Sequence, residues 1–235
     1  MSAPPDAIAI LSAGEVEVEG RMPWSSNGTF LASVCLAGTA LSAVYKPGRG
    51  ERPLWDFPGG LFRREVAAYE LSRFLGWDLV PETILRADAP LGKGSLQRFV
   101  DADFSEHYFT LMERPEHHDQ LRDMAVLDLL LNNADRKSGH CLVDADGRIW
   151  GIDNGLSFHV EPKLRTVIWD FAGHPVPDRL LEGIGRVAEA VPDSVAGLLE
   201  DDETAALTRR ARSILARPVL PAPHPERRPY PWPMV

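Results

Sequence analysis

Two acidic residues, Asp135 and Asp153, stand at the ends of the stretch "ADRKSGHCLVDADGRIWGID". Asp135 follows the apolar run "MAVLDLLL" and precedes a turn-rich segment. Its carboxylate is therefore expected between a buried helix and a hairpin, on rigid supports. Asp153 closes the second strand of that hairpin, and Gly155 lets the chain turn after it. Two carboxylates held this way can divide the work of phosphoryl transfer. One orients the attacking hydroxyl and the other holds a metal ion against the transferred group. Lys137 supplies a cation for that group. His140 lies between the acids, as either a catalytic part or filler.

Phosphoryl transfer from ATP makes further demands, and the chain offers a candidate for each. A flexible turn must bring backbone N–H groups to the phosphates. "SSNGT" (Ser25, Ser26, Asn27, Gly28, Thr29) has the small residues for it. A cation must neutralise the phosphates, and Lys46 ends the strand-like run "SAVYK". An acid on a helix must hold that cation. Glu65 shares a small or apolar face with Leu61, Ala68 and Ser72, and Glu70 competes with it. Asp128 sits in the most apolar part of its helix and must be paired there. It is expected to brace the loop through Arg136.

These groups need particular elements to position them. Residues 7–11 read as a short helix or strand. "FLASVCL" and "ALSAVYK" read as a hairpin, and "FPGGLFRREVAAYELSRFLGW" as a helix closed by Gly76. "LVPETILRAD" and "GSLQRFVDA" read as two further strands split by "APLGKG". Beyond Asp103 the texture is helical: "HHDQLRDMAVLDLLLNN" as a buried helix, then the hairpin "CLVDADGRIWGID". "VPDRLLEGIGRVAEAV" and "SVAGLLEDDETAALTRRARSIL" read as two amphipathic helices. Residues 200–203 form a solvated helix start. His107, His117 and His118 read as surface residues, and Trp169 to Phe171 as packing for the helical half. The proline-dense tail, "ARPVLPAPHPERRPYPWPMV", is either a strap over the surface or disordered. The fold class expected is α+β, with a small β-rich lobe over residues 1–100, a mainly helical lobe over 101–216 and the tail over 217–235.

A net charge of −9 argues against nucleic-acid binding, which normally needs a basic face. The two cysteines, Cys35 and Cys141, have neither metal spacing nor a disulfide framework, so a reducing cytoplasm is the expected compartment. No signal peptide is expected, and no apolar run has the length of about 18 residues needed for a membrane span.

At these residues the sequence resembles the phosphatidylinositol 3-/4-kinase-related branch of the protein-kinase-like fold, in the manner of its small actinobacterial members. The resemblance covers roughly residues 20–173. "SSNGTF…AVYKP" resembles the phosphate loop and lysine strand, and "REVAAYELSRFLGWDLVPET" the helix of the lysine-pairing acid. That alignment favours Glu65 over Glu70. "SLQRFV" resembles the interlobe strand, which implies that the backbone of Gln97 to Phe99 meets adenine. "NNADRKSGH" resembles the catalytic loop and "IDNGLSF" the metal-binding region. His140 stands where the family usually has a metal-binding Asn. Imidazole suits Mn²⁺ better than Mg²⁺, so the metal preference is shifted, one metal site is missing, Asn154 substitutes, or His140 merely holds the loop. No long activation loop follows Asp153. Lys163 and Arg165 there could meet an anionic substrate, though a solvated turn is the plainer reading.

The resemblance implies a two-lobed kinase-like fold that uses ATP with Mg²⁺ or Mn²⁺ and transfers phosphate to a hydroxyl acceptor. Without a polybasic patch, a protein or small molecule is expected as acceptor rather than a lipid. The tail is a candidate site for a protein partner. The alternatives are a nucleotide-binding module without transfer, and an AMP-transferring enzyme on the same fold.

Overall fold

A computed structural model describes residues 6–23, 27–226 and 228–234. Ser25 and Ser26 of the expected phosphate turn lie outside these residues. The N-terminal region opens with α1 (Ala7–Ala13), capped by the Asp6 carboxylate, which accepts from Ala9 N–H at 2.7 Å. Five antiparallel strands follow in the order β1-β2-β3-β5-β4, with β1 Glu15–Arg21, β2 Phe30–Leu36, β3 Thr39–Pro47, β4 Thr83–Arg86 and β5 Gly94–Arg98. The β1 strand escaped the sequence reading, although Val16 and Val18 alternate with glutamates. It pairs with β2, so Asn27, Gly28 and Thr29 lead into the second strand of a hairpin.

The two-residue period of β3 separates core from cleft. Ala43 and Tyr45 pack into a cluster with Ile10 and Leu11 of α1 and with Val34 and Leu96. Val44 and Lys46 face the opposite side. There α2 (Leu61–Leu75) crosses, starting after Gly60 at φ 84° and ending at Gly76 at φ 74°. The expected C-cap glycine is thus in place, and its left-handed backbone is what favours glycine.

The larger core lies in the C-terminal region. It gathers Leu71 and Leu75 of α2, Leu111 of α3 (Tyr108–Met112), and Leu127 and Leu130 of α4 (His118–Leu131). The hairpin β6 (Cys141–Val143) and β7 (Ile149–Gly151) is the one expected, with Gly147 at φ 77° in its turn. After α5 (Asp178–Glu189), the single helix expected next is broken into α6 (Asp193–Ala196) and α7 (Asp201–Ala216). Glu200 starts α7 with a capping box: its N–H donates to the Glu203 carboxylate at 3.0 Å. Glu203 is not solvated as the sequence reading had it. Its side chain is buried and paired with Arg64 of α2. His117 is likewise buried rather than at the surface, and His118 is half-buried, bonded to the Met112 carbonyl at 2.9 Å.

The tail is a strap on its own chain. Gly173 N–H donates to Leu220 C=O at 2.9 Å, Thr166 N–H to Pro229 C=O at 3.0 Å, and Ser138 N–H to Met234 C=O at 2.8 Å. These contacts give no support to an outside partner bound through the tail.

Candidate active site

A cavity of about 350 Å³ opens between β3 and α2 on one side and the 135–156 region on the other, a volume within the usual range for small-ligand sites. Lys46 enters it from β3. Its ammonium contacts the Glu65 carboxylate and lies 2.7 Å from Asp153 Oδ1. Glu65 reaches inward from α2 because it falls on the helix face the sequence assigned to the interior. Glu70 bonds Arg73 at the helix surface instead. The second Glu65 oxygen accepts from Asn154 N–H at 2.9 Å. Burial alone would lower the Lys46 ammonium. The two carboxylates outweigh it and hold Lys46 above its ordinary value. The same contact works in reverse on Asp153, whose carboxyl Lys46 holds well below the usual range.

The floor of the cavity owes its geometry to how α4 ends. Asn132 turns left-handed at φ 55°, and its N–H and that of Asn133 return to Leu129 and Asp128 carbonyls. Asn133 Oδ1 then accepts from Asp135 N–H at 2.9 Å, which fixes the turn carrying that acid. Arg136 is fully buried. Its guanidinium binds Asp128 at 2.9 to 3.1 Å, Asn154 Oδ1 at 2.6 Å and the Ile152 carbonyl at 2.7 Å. Asp128 thus braces the loop through Arg136, the partner the sequence reading suggested. One guanidinium ties the segment of Asp135 to the segment of Asp153. Asp153 itself sits at φ 56°, a left-handed conformation uncommon outside glycine and held by these neighbours.

Asp135 lies 3.5 Å from Lys137 Nζ. Burial pushes its carboxyl up to about 6, against the pull of Lys137 and with Asp153 adding to the rise. His140 also lines the cavity, with Nε2 3.4 Å from Asp153 Oδ2. Burial pushes the imidazole down to about 4, so it is neutral at pH 7. Nδ1 accepts from Lys137 N–H at 3.4 Å, which assigns the ring proton to Nε2, facing Asp153.

Other expected residues are placed differently. Asn154 is fully buried, with Oδ1 taken by Arg136 and Nδ2 donating to Gly151 C=O at 3.0 Å. It is spent on holding the two loops together and does not line the cavity, which corrects its assignment as a metal ligand. Gln97 and Phe99 do line it. The Gln97 side chain bonds Thr83 Oγ1 at 2.8 Å, and Phe99 N–H is used by the Ser42 carbonyl at 2.9 Å. Asn27, Gly28 and Thr29 border the cavity. Gly28 packs on Gly50, donating to its carbonyl at 3.0 Å, and a Cβ on Gly28 would lie 3.1 Å from Gly50 Cα.

Three supporting residues escaped the sequence reading. Glu51 accepts from Gly60 and Phe62 N–H at 2.9 and 2.8 Å, so a distant carboxylate caps α2. Asp56, in the loop before α2, lies 3.7 Å from Lys163 and 3.3 Å from Arg165. Those two cations are therefore paired rather than merely solvated. Glu203 holds Arg64, one residue before Glu65. None of these carries a local motif, because each pairs across more than eight residues of sequence.

The sequence pattern of the family described as phosphatidylinositol 3- and 4-kinase matches residues 77–204. The chain belongs to the phosphatidylinositol 3- and 4-kinase family. A protein of Mycobacterium tuberculosis, Rv2133c, is 43% identical over 266 residues, covering 97% of this chain and 95% of that protein. Two solved kinase-like structures share the fold. The Helicobacter pylori proinflammatory kinase CtkA matches with a TM-score of 0.51 at 15% identity, over 89% of this chain and 94% of its own. Hydra Fam20, solved with sugar, matches with a TM-score of 0.55 at 14% identity, over 89% and 86%. The fold is thus the kinase-like α+β architecture of this atypical family.

Proposed function

We propose that this family member is an ATP-dependent phosphotransferase. The observation that carries the reading is the Lys46 cluster: one half-buried ammonium from β3 held between the Glu65 and Asp153 carboxylates. A lysine so restrained is a fixed positive charge at the mouth of a cavity, suited to nucleotide phosphates. Asn27, Gly28 and Thr29 cover the phosphates. Adenine lies toward Gln97 and Phe99. Since Phe99 N–H is occupied, carbonyls and the Val100 backbone meet the base. Asp135 accepts the proton of the attacking hydroxyl, and Lys137 balances charge on the group in transfer.

A divalent cation fits as a visitor brought by the nucleotide. No group of three or more His, Cys, Asp or Glu able to hold a metal occurs among the described residues. The donors present are the Asp153 carboxylate, 49% exposed, and the His140 ring beside it. Such a sparse set suits an ion that takes its remaining ligands from phosphates and water. When bound, the ion would neutralise charge on the phosphates. His140 presents Nε2 toward Asp153 Oδ2 at 3.4 Å. It would serve as a ligand itself if the ring proton moved to Nδ1, which would favour Mn²⁺ over Mg²⁺. The acceptor proposed is a hydroxyl on a protein or a small molecule.

The sparse donor set also supports a second reading, a nucleotide-binding module without transfer. Thermal shift with ATP and Mn²⁺ or Mg²⁺, followed by turnover measurements, separates the two. The phosphotransferase reading expects a metal-dependent shift and turnover that Asp153→Ala abolishes. A shift without turnover supports the module, and turnover unchanged in Asp153→Ala removes Asp153 from its role.

A further inference from the structure

A second cavity, of about 460 Å³, lies between the C-terminal half of α7 and residues 217–222 of the strap. It shares no lining residue with the nucleotide cleft. Its walls are apolar, with Leu129 from α4, Ile214 from α7 and Leu220 from the strap. Its charged and hydroxyl side chains among the described residues are Arg210, Ser213 and Arg217, and no carboxylate among those residues lines it.

Arg210 is the unusual member. Nε donates to Leu130 C=O at 2.9 Å and one terminal nitrogen to His159 C=O at 3.2 Å. The other terminal nitrogen, Nη2, is buried with no hydrogen-bond partner among the described residues. Among the described residues neither Arg210 nor Arg217 forms an ion pair, whereas Arg64 and Arg136 are both matched with carboxylates. Burial, with Arg209 adding and Glu203 opposing, pushes Arg210 down to about 10. A buried charge left unpaired is costly, and a guanidinium fork suits a carboxylate or phosphate.

We propose that this cavity is a binding site for a small anion carried on a short apolar body, such as an alkyl phosphate or alkyl carboxylate. The anionic head lies against Arg210, Arg217 and Ser213, and the apolar body lies along Leu129, Ile214 and Leu220. The site is separate from the cleft and holds whether or not the cleft transfers phosphate.

Isothermal titration of the full chain with hexyl phosphate, hexyl carboxylate and inorganic phosphate tests this. One molecule of hexyl phosphate or hexyl carboxylate is expected per chain, with inorganic phosphate at least tenfold weaker. Arg217→Ala, at an exposed position, should weaken hexyl phosphate at least tenfold. Ala222→Trp, which fills the cavity, should abolish binding, and Lys46→Ala should leave it unchanged. The proposal is overturned if no binding is seen at millimolar ligand, or if Arg217→Ala binds as well as the parent. Loss in Lys46→Ala alone would place the ligand in the nucleotide cleft and overturn it equally.

Discussion

The Asp135 carboxyl, raised to about 6 by burial, makes a specific pH dependence. A raised carboxyl binds its proton more tightly, so the base is lost as pH falls through about 6 and is available above it. The kcat/KM for ATP-dependent transfer should climb through that region and level off by neutral pH. A profile flat between pH 5 and 8 would exclude Asp135 as the titrating base. His140 carries a second expectation at this scale. His140→Asn replaces a soft nitrogen beside Asp153 with an oxygen donor, so Mg²⁺-supported turnover should rise relative to Mn²⁺-supported turnover. Measuring both metals on parent and variant checks it, and an unchanged ratio would mean that His140 never meets the ion.

At the scale of elements, the Asp128–Arg136 pair fixes the loop after α4 against the loop after β7. Both side chains are fully buried. Asp128→Ala strands the Arg136 charge and should cost about 3–5 kcal/mol, read as a lower urea midpoint. A cost under about 1 kcal/mol would mean that water reaches the pair. Much of this element scale was legible in the sequence, because the signals were local. Short apolar runs, β-branched in part, named β2 and β3, glycines bounded α2, and the apolar density of α4 flagged Asp128 as needing a partner. The rest was hidden for physical reasons. Residues 15–21 alternate as a strand should, but glutamates fill their polar positions and mask the signal. The break between α6 and α7 rests on a capping box within an otherwise continuous apolar rhythm. Asn154 looked like a donor because its motif is polar, yet burial and Arg136 claim its amide. Glu51, Asp56 and Glu203 act on α2 or its flanking loop from afar, and no local pattern announces such pairs.

Across the whole molecule, α2 belongs to both regions at once. It presents Glu65 to the cleft, buries Leu71 and Leu75 in the larger core, and pairs Arg64 with Glu203 of α7. Arg186 of α5 also donates to the Phe74 carbonyl at 3.0 Å. The helix is thus pinned from the C-terminal side, so Glu65 is set in place before any ligand arrives. Glu203→Ala should therefore lower both the unfolding midpoint and turnover, since the unpaired Arg64 disturbs the neighbouring Glu65. Unchanged turnover in a destabilised variant would separate the two effects. The strap adds a constraint of its own, since Pro229 and Met234 carbonyls hold Thr166 and Ser138 beside the loop of Asp135. Removing residues 218–235 should lower the thermal midpoint and slow turnover together. The most direct test of the central reading follows the label from ATP. The chain is incubated with the divalent cation and a mixture of candidate hydroxyl acceptors, using ATP labelled at either the γ or the α phosphate. Label from the γ position alone should reach an acceptor, and Lys46→Ala and Asp135→Asn should each reduce it at least a hundredfold. Transfer of the α label, or γ transfer undiminished in both variants, would contradict it.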